Sequence, residues 1–304
     1  MNTSLKRILL ATDGSENAAL AGRAAADVSG KTGAELHVVH AWQNLRPGSV
    51  PPLAWAELSR AHERYKRKAA ELLETEAQRV RESGGTVARA HLREGRPADE
   101  IAALAEELAT DLVVVGSREA GWVKRLVTGS VSEGLVHGAS CPVLIVRGGE
   151  GAWPPARFVV GEDGSAPAQR ASELAAEIAR LFGAEVVLVR AYENPPEPVG
   201  GWSAQDRREL DEDLHRRRED LVERAEPLAT LTRRRAGTRL IEMKAAPAMS
   251  LVAGKRDEGR TLLAVGSRGL GALDRALSGS VSTNVLRAAH GPVLVVPSEK
   301  ASAR

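Results

Sequence analysis

Hydrophobic and polar positions along the chain switch between two rhythms. Residues 7–12 (RILLAT) are a short, mostly apolar run, and 15 to about 29 is an Ala-rich stretch of helical pattern. A second strand is predicted at 36–41 (LHVVHA), a long charged helix from 55 to about 82, and a third strand at 87–92. Ile101, Leu104, Ala105 and Leu108 fall at i, i+3, i+4 and i+7, one face of a helix. Residues 112–115 (LVVV) are continuously apolar, as a strand buried on both faces of a parallel sheet should be. A helix at 131–138 and a strand at 143–146 complete a β-α-β-α-β-α-β-α-β unit. Such alternation implies right-handed crossovers and an open parallel sheet covered on both faces.

The unit occurs twice. Asp13-Gly14-Ser15 returns as Asp163-Gly164-Ser165, and Gly116-Ser117-Arg118 as Gly266-Ser267-Arg268. Gly129-Ser130-Val131-Ser132 returns as Gly279-Ser280-Val281-Ser282, and Pro142-Val143-Leu144 as Pro292-Val293-Leu294. Every pair is 150 residues apart, the signature of a tandem duplication. The boundaries read as a domain over 1–147, a Gly/Pro-containing linker over 148–155 and a second domain over 156–304, whose tail from 298 is expected to fray. At the constant offset, Leu104, Ala105 and Leu108 become Gly254, Lys255 and Glu258, so the third helix of the second repeat should be shorter.

Composition narrows the function. In 304 residues, 42 Lys and Arg against 40 Asp and Glu give a net charge of +2, without the basic excess of a dedicated nucleic-acid binder. Aromatic residues are 3%, too few for a base-stacking platform. The single cysteine, Cys141, can form neither an internal disulfide nor a multi-Cys zinc site. No apolar run approaches the ~20 residues of a membrane span, and the start MNTSLKRILLATDGS reads as a first strand, not a signal peptide. A soluble cytoplasmic protein is the expectation.

In open α/β sheets ligands bind at the carboxyl ends of the strands, near the reversal of strand order. Two loops of each repeat belong there. One holds Thr12-Asp13-Gly14-Ser15 or Glu162-Asp163-Gly164-Ser165. The other follows the fourth strand. In the second repeat it places Gly266, Gly269 and Gly271 close together, then opens a helix with Gly279-Ser280. Glycines let backbone N–H groups approach a ligand, and a helix N-terminus favours phosphate. Ser280 and Ser282 would add hydroxyl donors, and Arg268 and Arg275 positive charge. The joint pattern Gly-x2-Gly-x9-Gly-Ser after a buried strand is specific, whereas each Gly-Ser alone reads as a turn or cap.

These motifs resemble those of the universal stress protein family, in its tandem two-domain actinobacterial form, over about residues 5–147 and 156–297. The resemblance implies two Rossmann-like domains, related to adenine-nucleotide α-hydrolases, each a five-stranded parallel sheet. It also implies terminal strands (143–146 and 293–296) that pair antiparallel between domains. It implies ATP at the second repeat, with adenine near Gly161, Asp163 and Ala191. The phosphates would lie on Val265, Gly266, Ser267, Arg268, Gly269, Leu270, Gly271 and Ala272, with Arg275, Gly279, Ser280, Val281 and Ser282. No protein metal site is assigned; a magnesium ion would be held by Asp163 and the phosphates. The corresponding set in the first repeat is Ala11, Asp13, Ala41, Val115, Gly116, Ser117, Arg118, Glu119, Gly121, Arg125, Gly129, Ser130, Val131 and Ser132.

The first repeat departs from the signature at Glu119, where the second has Gly269. A non-Gly residue at a positive-φ position costs on the order of 1 kcal/mol. A carboxylate ~5 Å from a phosphate oxygen costs about 3 kcal/mol at an effective dielectric of 20. The first site is therefore expected to be weaker, not abolished.

Other features point away from catalysis. Histidines 37, 40, 62, 91, 137, 215 and 290 show no metal-ligand spacing, and His37 and His40 should point to opposite faces of their strand. Ser15 and Ser165 read as helix caps. Neither a Gly-x-Ser-x-Gly elbow nor a P-loop is present. The charged stretch 202–235 reads as a solvated, ion-paired helix face. The leading expectation is an ATP-binding regulatory protein of the stress response, with at most slow hydrolysis, forming a homodimer and acting on an unidentified protein partner. The alternatives are a nucleotide-free interaction protein of the same fold and an α-hydrolase-type enzyme. The latter is disfavoured because the Ser-Gly-Gly-x-Asp-Ser loop of that group is replaced here.

Overall fold

The computed structural model describes residues 5–43, 55–117, 130–196, 201–254, 260–267 and 281–298. The chain divides between Trp153 and Pro154 into two compact domains. The first runs β1 (Arg7–Ala11), α1 (Glu16–Thr32), β2 (Glu35–Trp42), α2 (Trp55–Glu82), β3 (Val87–Glu94), α3 (Pro97–Glu107), β4 (Leu112–Gly116), α4 (Ser130–Gly138) and β5 (Val143–Val146). Its strand order is β3-β2-β1-β4-β5, with every described pairing parallel. The second runs β6 (Arg157–Gly161), α5 (Ala166–Phe182), β7 (Glu185–Tyr192), α6 (Ala204–Thr232), β8 (Gly237–Glu242), α7 (Ala245–Ala253), β9 (Thr261–Ser267), α8 (Val281–Ala288) and β10 (Val293–Pro297). Its order is β8-β7-β6-β9-β10, again parallel.

The central strands are the apolar runs of the sequence. Ile8, Leu9 and Leu10 in β1, Val113 and Val114 in β4, and Phe158, Val159 and Val160 in β6 are buried on both faces of their sheets. Each domain's first helix starts on the serine read as a cap. Ser15 Oγ accepts from the Ala18 amide at 3.2 Å and Ser165 Oγ from the Ala168 amide at 3.3 Å. Helix α6 begins with a capping box between Ser203 and Asp206. Its exposed face carries the expected local ion pairs, Arg216 and Arg217 with Asp213 and His215 with Glu219.

Two expectations change. Part of the 148–155 linker belongs to the first domain: Ala152 and Trp153 are buried, and the Trp153 indole N–H donates to Asp27 Oδ2 of α1 at 2.9 Å. An indole cannot be buried cheaply without such an acceptor. The 150-residue offset also fails locally. Trp42 pairs with Glu94, but Tyr192 pairs with Glu242, so β3 and β8 correspond at an offset of 148. The slip follows a register irregularity at Leu36/His37 in the first domain. It carries into the next helices, where Ile101, Leu104 and Ala105 are answered by Met249, Val252 and Ala253, not by Leu251, Gly254 and Lys255. Helix α7 is shorter than α3, 9 residues against 11, and stops at Gly254 with φ +74°.

Candidate functional site

In the second domain the chain leaves β6 for β7 on one side and later returns to β9 on the other. The carboxyl ends of β6 and β9 therefore form the switch point of the sheet. A cleft of about 90 Å³ opens there. Gly161, Glu162 and Asp163 at the end of β6, Val189 and Ala191 of β7, and Val265 and Gly266 of β9 line it. Ala168 of α5, Ala245 and Met249 of α7, and Val281 of α8 complete the wall. The surface is small and largely apolar, with a carboxylate at one edge. A methyl group at Gly161 would stand 3.1 Å from Met249 Sδ and 3.4 Å from Val265, so the absent side chain keeps this wall open.

Of the residues nominated from sequence, Gly161, Asp163, Ala191, Val265, Gly266 and Val281 come together around the cleft. Ser267 does not line it, and neither does Ser282, which is 3% exposed within α8. Ser132, its counterpart, is 2% exposed. Both serines are buried in their helices. Arg268, Gly269, Leu270, Gly271, Ala272, Arg275, Gly279 and Ser280 lie outside the described residues, as do Arg118, Glu119, Gly121, Arg125 and Gly129 in the first domain. Ala11, Asp13, Ala41, Val115, Gly116 and Val131 occupy the corresponding strand ends and helix start of the first domain. Ser117 follows β4, and its buried hydroxyl has no hydrogen-bond partner among the described residues.

The acidic residue of each Asp-Gly-Ser turn has a local structural role. Asp13 Oδ1 accepts the Ser15 amide and Asp163 Oδ1 the Ser165 amide, both at 3.0 Å. This Asx turn feeds directly into the helix cap. The first glycine of each phosphate-loop signature has a packing role. A Cβ at Gly116 would lie 2.5 Å from the Asn17 carbonyl oxygen, and one at Gly266 2.5 Å from the Ala168 nitrogen. These glycines let β4 and β9 approach the first turn of α1 and α5, and neither has positive φ.

Sequence reasoning missed Ala168, Val189, Ala245 and Met249, and placed Glu162 in the strand-end loop without assigning it a role. Val189 was reachable, because it sits two positions before Ala191 on the same strand face. Met249 was hidden by the two-residue slip. Glu162 carries the main electrostatic feature. Its side chain is 1% exposed, and its Oε1 accepts the Gly164 amide at 2.7 Å. Its Oε2 accepts the Ser172 hydroxyl at 3.2 Å, while Arg190 and Arg224 each stand 3.9 Å away. Both arginines also bind Asp220. Burial works against the Asp220 carboxylate, but the two guanidinium groups outweigh it and hold its pKa below the ordinary value.

The sequence profile of the universal stress protein family matches residues 4–147 and again 156–297. The chain belongs to the universal stress protein family. Among related universal stress proteins, one from Thermus aquaticus is 39% identical over 142 residues, covering 47% of this chain and 98% of the relative. One from Mycolicibacterium smegmatis is 32% identical over 211 residues, covering 62% of each chain. A crystal structure of an Archaeoglobus fulgidus universal stress protein shares the fold, with a TM-score of 0.66 at 24% identity, over 97% of this chain and 99% of that one. Both halves of the chain are thus universal stress protein domains, and no described helix is long and apolar enough to cross a membrane.

Proposed function

We propose that this universal stress protein binds ATP, chiefly in its second domain, and acts as a nucleotide-dependent regulator and not as a fast enzyme. The observation that carries this is the convergence of Gly161, Ala191, Val265 and Met249 into an apolar cleft at the switch point, with Asp163 at its rim. That wall suits the flat, weakly polar face of a purine. Its volume is below the roughly 300 Å³ of a whole small-molecule pocket, so it accounts for the base end of the ligand. The phosphates would fall to the loop that carries Gly269 and to the start of α8, and a magnesium ion would accompany them. Turnover is expected to be slow because the carboxylates at the cleft, Glu162 and Asp163, are engaged by turn amides. The regulator would work in the cytoplasm as a homodimer with a protein partner. A lone, buried, free Cys141 fits a reducing compartment.

A second reading has its own observation. Gly116 and Gly266 are explained by helix–strand packing alone, as a nucleotide-free scaffold of this fold would require. Two measurements separate the readings. Denaturing the purified protein should release adenine nucleotide, identified by mass spectrometry. Calorimetric titration with ATP and magnesium should show binding that Gly269→Glu weakens at least tenfold. No released nucleotide and no heat of binding would leave the scaffold reading standing.

A further inference from the structure

The two Asp-Gly-Ser turns are held from beneath by different residues with one chemical outcome. In the first domain the Gly14 amide donates to Thr12 Oγ1 at 3.2 Å, and the Thr12 hydroxyl donates to Glu76 Oε2 of α2 at 3.0 Å. Glu76 is 4% exposed, and its other oxygen takes a guanidinium N–H of Arg79. In the second domain Glu162 stands at the position of Thr12 and receives the Gly164 amide directly, at 2.7 Å. Gly14 and Gly164 have φ of +76° and +84°. In both domains, then, the amide at the bend of the turn ends on a buried carboxylate, through one hydroxyl in the first and directly in the second.

A turn does not need this. The Asx bond and the serine cap already close it locally, and a surface amide can be left to water. Burying a carboxylate is costly unless it is fully hydrogen-bonded and paired. Yet each domain buries one under this amide, drawn from α2 in one case and from the end of β6 in the other. The Gly164 amide thereby makes a charge-assisted bond, and the Gly14 amide reaches the same kind of charge through a polarised hydroxyl. Asp13 and Asp163 sit on the segment being fixed, beside the proposed base-binding wall.

We infer that Glu76 and Glu162 are positioning residues: each fixes its Asp-Gly-Ser turn, and with it Asp13 or Asp163, in the conformation that receives the nucleotide. This rests on reading the strand-end clefts as ATP sites. It also ties each site to the long charged helix of its domain. Glu76 belongs to α2, and Glu162 faces Arg190 and Arg224, which grip Asp220 of α6.

The test uses the full chain and two readouts, amide exchange by NMR without nucleotide and calorimetric titration with ATP and magnesium. Thr12→Val is nearly isosteric, leaves the Glu76–Arg79 pair in place and removes only the relay. It should speed exchange at Gly14 about tenfold and weaken the first site by a similar factor, while Thr12→Ser restores both. Glu162→Val should do the same at Gly164 and at the second site, and Glu162→Gln, which keeps an acceptor oxygen, should preserve most of the protection. If Glu162→Val does not fold, the Thr12 pair decides the matter. Unchanged exchange in folded Thr12→Val overturns the relay, and lost protection with unchanged ATP affinity overturns the positioning role. Absence of ATP binding by the unaltered chain refutes the nucleotide reading instead, and the exchange measurement, needing no ligand, tells the two failures apart.

Discussion

At the scale of single residues, two titratable groups meet across neighbouring strands, His37 buried and His91 half-buried. His37 Nδ1 and His91 Nε2 are 2.9 Å apart across β2 and β3, so one ring donates to the other and the accepting ring must be neutral. Burial pushes the His91 pKa from 6.5 down to about 4, aided by His37, Arg89 and Arg93 and opposed by Glu107. His37 is lowered too, first by burial, with Glu35 opposing and Arg7 assisting. The folded state therefore binds fewer protons than the unfolded chain between about pH 6.5 and 4. The contribution is fully present above 6.5 and is lost as pH falls toward 4. Urea unfolding followed from pH 7.5 to 4.5 should show a decline that His37→Val together with His91→Leu makes shallower. Equal slopes in the two proteins would remove these histidines as the cause. Position 187 in the second domain already carries valine, so the fold accepts the change at 37.

At the scale of elements, close approach of helix to strand decides which glycines are needed. Gly116→Ala and Gly266→Ala drive a methyl group into backbone that cannot step aside, and should each cost about 1–3 kcal/mol of stability. Gly30→Ala is the contrast. It lies exposed in α1 with nothing near its Cβ, and should gain about 0.5–1 kcal/mol. Denaturant midpoints of the three variants check both signs, and a neutral Gly116→Ala would contradict the packing account. The same distinction marks what the sequence revealed. Strands such as 112–115, the caps Ser15 and Ser165 and the duplication rest on local pattern, and all are found in the structure. Met249 and the His37–His91 pair were invisible because each depends on register between elements, and Glu162 was placed in its loop without its buried role being legible. A two-residue slip in β3 relative to β8 cannot be read from periodicity. It moved Met249 to the position of Ile101, and hence into the cleft. The first glycine of the phosphate-loop signature was legible as a requirement, but its physical reason was not.

At the scale of the whole molecule, duplication has left two strand-end regions of one ancestry that carry different residues. At the strand ends Ala11 of the first repeat corresponds to Gly161 of the second, Thr12 to Glu162, and Ile101 to Met249. Glu119 replaces Gly269 in the loop expected to meet phosphate. A methyl at Gly161 would press on Met249, and Ala11 carries that methyl at the equivalent position of the first repeat. If phosphate binds there as proposed, carboxylate–phosphate repulsion of about 3 kcal/mol at ~5 Å, relieved in part by side-chain rotation and salt, would act at Glu119. On the proposed nucleotide reading, the Ala11 methyl and the Glu119 carboxylate both disfavour the first site. Titration with ATP and magnesium should therefore resolve one tight site per chain and one at least about tenfold weaker. Glu119→Gly should strengthen only the weaker, and the gain should shrink at high salt, because the term it removes is electrostatic. Two equal sites in the unaltered chain would mean that these differences do not bear on the ligand. A gain from Glu119→Gly that ignores salt would assign the penalty to backbone conformation instead of charge.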